Sequence, residues 1–173
     1  MGEVYTLGYG GLSPERFAEK VFSLGVRVVV DVRRYPRSKV EFFSGDKLSA
    51  WLAEAGVGYE WMGELGALGM ARRRGELGEA PCTDSPTFRV YVAYLVSDPG
   101  ALAALSRIGE MASRGLRPLL LCRERKPEHC HRQFVADALV ARGFRVVHVV
   151  GDELVPHAGS PCYGYVAERL EKL

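Results

Sequence analysis

Residues 26–32, 118–122 and 144–150 are runs in which apolar side chains dominate successive rather than alternate positions. A strand carries such a run only when both of its faces are covered, as happens inside a parallel sheet sandwiched between helices. Helical patterns separate the runs. Ser13 is placed to cap a helix with Pro14 at its first position, Leu12 and Phe17 are spaced as a hydrophobic staple, and Gly25 supplies the stop. Leu48, Trp51, Leu52 and Ala55 mark a second helix closed by Gly56, and Phe88, Tyr91, Val92 and Leu95 share the face of another. A helix opening at Asp98-Pro99 carries the stripe Leu102, Leu105, Ile108 and Ala112, and Phe134, Val135, Ala138 and Leu139 line the next. With a first strand at 4–8 and a short one at 59–62, strands and helices alternate. The expectation is one α/β domain over residues 1–173: three layers, with a doubly wound, mostly parallel sheet and helices on both faces. The end of the chain turns at Gly151-Asp152 and finishes in a short helix at 165–170.

Between residues 64 and 86 both periodicities dissolve into glycines, turn residues and the triple arginine Arg72, Arg73, Arg74. This reads as a long irregular loop, and a loop of that length in a compact domain is either a lid or a floppy insertion.

A chain of 173 residues buries an adequate core without covalent staples. It has four cysteines, none in a Cys-x-x-Cys pair, and no basic leader followed by an apolar segment, so the thiols are expected free and the protein cytoplasmic. No apolar stretch is long enough to span a bilayer, and no membrane partner is expected. A net charge of +2 does not announce a nucleic-acid protein; only local basic clusters can carry that argument. Arginine exceeds lysine, asparagine is absent and Gln133 is the sole glutamine, a bias that fits heat tolerance or a GC-rich genome.

Chemistry is concentrated at one strand-to-helix turn. Residues 119–132 run from Leu119-Leu120-Leu121 into Cys122, Glu124, His129, Cys130, His131 and Arg132, and then open onto a helix. In a doubly wound sheet ligands bind beyond the carboxyl ends of the strands, which here are Gly8-Tyr9, Asp31 to Arg34, Cys122 to Glu124 and Gly151-Asp152. The helix start near Cys130 favours an anion and lowers a thiol pKa, which ranks Cys130 above Cys122 as nucleophile and leaves Cys122 to the core. His131 is the candidate acid or base, and His129 reads as a solvent-facing or capping residue. Arg132 is expected to offer a bidentate guanidinium to an anion. Glu124 orients a base, donates a proton or pairs with Arg33. Asp31 and Arg33 alternate and should point to opposite sides of the strand if it stays extended. A static charge network among Asp31, Arg33, Glu124 and Arg132 is the structural alternative.

Taken in order, Thr6-Leu7-Gly8-Tyr9, Val30-Asp31-Val32-Arg33 with Pro36 and Ser38, Glu64-Leu65-Gly66, Phe88 with Tyr91 and Tyr94, and Cys122-x-Glu124 through Pro127 to Cys130-His131-Arg132 closely resemble the domain-of-unknown-function family 488 over nearly the whole chain. The resemblance implies a compact α/β domain with a shared polar site built from these motifs, and no reaction. The family usually has His-Ser where this chain has Tyr9-Gly10, and a small residue where it has Arg123. Val30-Asp31-Val32-Arg33 is also similar to a phrase of rhodanese-like domains. A cysteine phosphatase loop needs an arginine after Cys and five residues, and the count from Cys122 reaches Glu128 and from Cys130 reaches Ala136, which excludes that loop.

The leading expectation is an enzyme acting on a phosphate-bearing ligand, a nucleotide or nucleic acid, with Gly8, Tyr9, Asp31, Arg33 and Arg132 binding and Cys130, His131 and Glu124 reacting. One alternative is a nucleic-acid binding module using Arg72 to Arg74, Arg34, Arg37 and Lys39 on phosphates, with Tyr35, Phe42 or Phe43 for stacking. Another is a metal site from Cys122, Cys130, His129 or His131, and Glu124. A redox disulfide between Cys122 and Cys130 is a variant of the last.

Overall fold

The structure, a computed structural model, describes residues 2–172. Its elements follow in the order β1 (Glu3–Gly8), α1 (Pro14–Ser23), β2 (Val28–Asp31), α2 (Gly45–Glu54), β3 (Gly58–Trp61), α3 (Arg74–Leu77), α4 (Pro86–Leu95), α5 (Pro99–Ser113), β4 (Leu119–Cys122), α6 (Arg132–Ala141), β5 (Arg145–Val150), β6 (Glu153–Pro156) and α7 (Tyr163–Glu171). The strands form one sheet in the order β3-β2-β4-β1-β5-β6, parallel throughout except for the antiparallel pair β5 and β6. The doubly wound α/β expectation holds. No helix among the described residues is long and apolar enough to cross a membrane.

Local chemistry explains where the helices start. Ser13 accepts the N–H of Arg16 at 3.2 Å, Ser85 that of Phe88 at 3.2 Å and Asp98 that of Ala101 at 3.0 Å, and each cap is followed by proline. Each such cap stabilises its helix by about 1 kcal/mol. The strands divide their side chains by parity. Tyr5, Leu7, Val29, Leu119, Leu121, Val147 and Val149 pack with Phe17, Phe43, Leu48 and Leu52 on the face of α1 and α2. Val4, Val28, Val30, Leu120 and Val146 pack on the opposite face with the buried sides of α4, α5, α6 and α7. Four central strands covered on both sides are the physical reason their sequences lack alternation.

Three features depart from expectation. The stretch after Gly151 adds strand β6, whose four residues are all exposed and carry no burial pattern to betray it. Cys82 and Cys162 form a disulfide spanning 80 residues, so two of the thiols expected free are joined; only Cys122 and Cys130 are free. The segment 64–86 contains the 3-10 turn Met70–Arg73 and the helical turn α3, and it is tied to α4 by tyrosines. The Tyr91 hydroxyl donates to the Leu65 carbonyl and that of Tyr94 to the Glu64 carbonyl, both at 2.6 Å.

The end of β1 meets the turn beyond β4 at very short range. Tyr9 and Gly10 donate their N–H groups to the carbonyls of Cys122 and Arg123, each at 3.0 Å. A Cβ on Gly8 would sit 1.7 Å from the Glu124 carbonyl oxygen, a backbone atom that no side-chain rotation can move aside. Gly8→Ala is therefore expected to lower unfolding free energy by about 3 kcal/mol, read from denaturant curves; an unchanged midpoint would show that the turn has room to give.

Candidate active site

β1, β2 and β4 lie side by side, with Gly8 paired to Cys122 and Asp31 to Leu121, so their carboxyl ends converge on one crevice. A cleft of about 380 Å³ opens there, lined by Tyr9, Arg33, Arg34, Tyr35, Arg37, Thr87, Phe88, Cys122, Arg123, Glu124, Cys130 and His131 among others. Crossovers leave β1 and β4 in opposite directions, which makes this the switch point of the sheet.

At its base the two free sulfurs stand 2.8 Å apart, each cysteine only 2% exposed. His131 lies beside them with Nδ1 3.6 Å from the Cys130 sulfur and Nε2 2.9 Å from the Val32 carbonyl. A carbonyl only accepts, so Nε2 carries a hydrogen and Nδ1 is the position that exchanges a proton with Cys130. Tyr91 packs edge-on against the imidazole at 5.4 Å between ring centroids.

Arg132 lies beneath the sulfurs, completely buried. Its guanidinium donates to the Cys122 sulfur at 2.7 Å, to the Glu124 and Arg125 carbonyls and, through Nε, to the Thr6 hydroxyl at 3.1 Å. No carboxylate among the described residues forms an ion pair with it. An uncompensated buried cation costs several kcal/mol, and the ionisable groups that stand beside Arg132 are the two cysteines. Burial opposes ionisation of Cys130, yet the hydrogen bond from Cys122, the imidazole of His131 and Arg132 hold its thiol well below the usual range. Burial and the neighbouring sulfur push Cys122 the other way, so the pair gives up one proton and keeps the second. Burial also works against a charge on His131, but the Cys130 thiolate and the Val32 carbonyl raise its pKa.

A second set of buried groups holds Arg132 from behind. Thr6 Oγ1 lies 2.6 Å from His148 Nδ1, His148 Nε2 lies 2.8 Å from His157 Nδ1, and His157 Nε2 lies 2.7 Å from Asp137 Oδ1. Ser160 donates its hydroxyl and its N–H to the same carboxylate. Asp137 can only accept and Arg132 can only donate, so with neutral imidazoles every hydrogen in the chain points the same way, from Arg132 through Thr6, His148 and His157 to Asp137. Every buried side-chain nitrogen and oxygen among the described residues has a partner. Burial, His157 and Arg132 lower the His148 pKa to about 3, so it stays neutral.

The residues singled out from sequence separate in space. Tyr9, Arg33, Glu124, Cys130 and His131 line the cleft, whereas Asp31 and Arg132 are buried behind it and Gly8 is occupied by its packing against the turn. Arg132 spends its donors internally, which replaces the expected grip on a ligand with a role in charging the thiols. Asp31 and Arg33 do not diverge. The strand ends at Asp31, and Arg33 folds back onto it through Nε at 2.8 Å and Nη2 at 2.6 Å, while the Tyr59 hydroxyl donates to the same carboxylate at 2.6 Å. The four-membered charge network therefore reduces to this pair, since Glu124 joins through its backbone carbonyl. Phe42 and Phe43 are taken up by an aromatic cluster with Phe17 and Trp51, which removes them as stacking platforms. No group of three or more His, Cys, Asp or Glu among the described residues is arranged to hold a metal ion. Thr6 stands in the sequence only as part of a motif, and no motif marks His148, His157, Asp137 or Ser160; a histidine inside the buried run of β5 is the one signal.

The family model described as Domain of unknown function DUF488 matches residues 13–139. No curated protein matches the chain, and neither does any solved structure. β1, His148, His157 and Ser160 lie outside the matched span.

Thr6→Val removes the hydroxyl that links Arg132 to His148 while preserving shape. The thiolate absorbance of the cysteine pair is expected to titrate at higher pH in this variant and to return toward the wild-type curve in Thr6→Ser; coincident curves for all three proteins would disconnect Thr6 from the thiols. A second expectation concerns stability. Unfolded His148 takes up a proton near 6.5 and folded His148 only near 3, so stability is lost as the pH is lowered from 6.5 towards 3. His148→Asn should flatten the stability profile between those limits by up to about 1.4 kcal/mol per pH unit, measured by denaturant unfolding; parallel profiles would refute this.

Proposed function

The chain belongs to the DUF488 family, described only as a domain of unknown function, and from the geometry of its site we propose that it is a thiol-dependent enzyme acting on a phosphate-bearing ligand, a nucleotide or nucleic acid. The observation that carries this is the coincidence of a charged thiol pair at the cleft base with four arginines, Arg33, Arg34, Arg37 and Arg123, around the walls. Arginine matches phosphate oxygens with paired N–H donors and keeps its charge at any working pH. Tyr35 and Phe88 supply aromatic rings at the same opening.

In this reading Cys130 attacks an electrophilic centre of the bound ligand, and Nδ1 of His131 takes or returns the proton. Glu124, exposed at the rim, is the second proton carrier. Arg132, fixed by Thr6 and the turn carbonyls, keeps the nucleophile ionised without touching the ligand, and Asp31 holds Arg33 in place. The protein acts as one α/β domain, with residues 67–69 and 87–88 forming one wall of the cleft. A nucleic-acid ligand is favoured by Tyr35, which is 53% exposed with the guanidinium groups of Arg34 and Arg37 each within 6 Å of its ring.

Thermal-shift measurements over nucleotides, phosphorylated metabolites and short oligonucleotides are expected to give a stabilising ligand. Its affinity should fall about tenfold in Arg123→Ala, the effect of losing one charge-assisted contact. Cys130→Ser should retain binding and lose turnover. If no member of these classes binds, or if binding ignores the arginine while turnover ignores the cysteine, the reading fails.

A further inference from the structure

Cys130 has a neighbour that a thiol acting only as a nucleophile does not need. The second sulfur, on Cys122, is 2.8 Å away and unbonded to it, while Cys82 and Cys162 elsewhere in the same chain are already joined. A disulfide requires about 2.05 Å between sulfurs, so closing the pair asks for a displacement of less than about 1 Å. The two cysteines are carried differently. Cys122 is the last residue of a central strand, bonded on both sides, whereas Cys130 follows the 3-10 turn Pro127–His129 and precedes α6. The partner outside the sheet is the one beside His131, and the strand partner is the one held by Arg132.

We infer that Cys122 and Cys130 form a hydroperoxide-reactive pair, in which Cys130 is oxidised first and Cys122 resolves it to an intramolecular disulfide. The class of oxidant follows from access. Both cysteines line the cleft yet are only 2% exposed, which favours a small oxidant such as hydrogen peroxide or a small alkyl hydroperoxide over a bulky disulfide. In the first step the Cys130 thiolate attacks one peroxide oxygen. The O–O bond breaks, a sulfenic acid forms, and the departing hydroxide or alkoxide takes the proton held at Nδ1 of His131 to leave as water or alcohol. In the second step the Cys122 sulfur, giving up its proton, attacks the Cys130 sulfur. The S–O bond breaks and hydroxide leaves with that proton as water. Two thiols have lost two electrons in total and one hydroperoxide has gained them. The protein disulfide needs a dithiol reductant to return.

Oxidation removes both the nucleophile and the negative charge that answers Arg132, so it silences the site while protecting Cys130 from irreversible oxidation. The inference uses the same nucleophile as the reading above but does not depend on its ligand.

The test uses the full chain, reduced, freed of reductant and exposed to one equivalent of hydrogen peroxide. Intact mass should show the loss of two hydrogens in the wild type, reversed by dithiothreitol, with peptide mapping placing the new bridge between residues 122 and 130. Cys122→Ser, an isosteric change, should stop at the sulfenic acid, trapped by dimedone, and Cys130→Ser should show neither product. Wild-type protein that stays reduced, or that gains oxygens without forming the bridge, would overturn the inference, as would dimedone labelling of Cys130→Ser at the rate seen for Cys122→Ser. Bridge formation in a protein that binds no phosphate-bearing ligand would leave this inference standing and remove the proposed function. A ligand that binds at the arginines of a protein inert to peroxide would do the reverse.

Discussion

The guanidinium of Arg132 is a full positive charge sealed inside the molecule, and much of the surrounding architecture is its accommodation. It stands at the first residue of α6 and reaches the hydroxyl of Thr6 on β1, the sulfur of Cys122 on β4 and the carbonyls of Glu124 and Arg125 in the turn between β4 and α6. Five donors in a rigid plane thereby fix the relative positions of two central strands, a helix and the turn that carries the chemistry. No carboxylate among the described residues forms an ion pair with it, and this leaves the sulfurs to supply the opposing charge. Placing a carboxylate there would satisfy Arg132 equally well and extinguish the thiolate.

Behind Arg132 the polar chain to Asp137 does two things at once. It holds the Thr6 hydroxyl in the orientation that accepts from Arg132, and it ends on the carboxyl group of Asp137, supplied by the same helix. Both imidazoles are needed in one tautomer for the hydrogens to run in a single direction. The cleft in front of the sulfurs follows a different rule. Arg34, Arg37 and Arg123 sit on walls reached by solvent, Arg33 is held down on Asp31, and the groups around the thiols are buried. In the proposed function this separation of binding charges from tuning charges would let a ligand come and go without disturbing ionisation of the nucleophile.

How much of this was readable from sequence depended on whether the deciding partner was local. Ser13-Pro14 and Asp98-Pro99 announce helix starts because the capping oxygen and the N–H that donates to it lie within three residues. The central strands announce themselves because burial on both faces leaves no polar alternation. Arg132 does not, since a charged residue at a helix start reads as exposed, and the hydroxyl that helps bury it is 126 residues distant. The return of Arg33 onto Asp31 was hidden by the assumption that the strand continues, when it ends at Asp31 and lets the chain fold back. The bridge from Cys82 to Cys162 leaves no trace in spacing. The motifs that marked the family did point to one place: Thr6 meets Arg132, and Tyr91 meets both Leu65 and His131.

The strand order has a consequence for how the protein comes into being. β1 is synthesised first yet lies between β4 and β5, and β2 reaches the rest of the sheet only through β4. β2 finds β3 soon after it is made, but both edges of β1 and the second edge of β2 stay unpaired until β4 and β5 follow. Through that interval these apolar strands depend on α1 and α2 for cover, on one face only. Cys122 and Cys130 meet Thr6 only once β4 has docked beside β1, so the thiol site is put together late, from segments far apart in the chain.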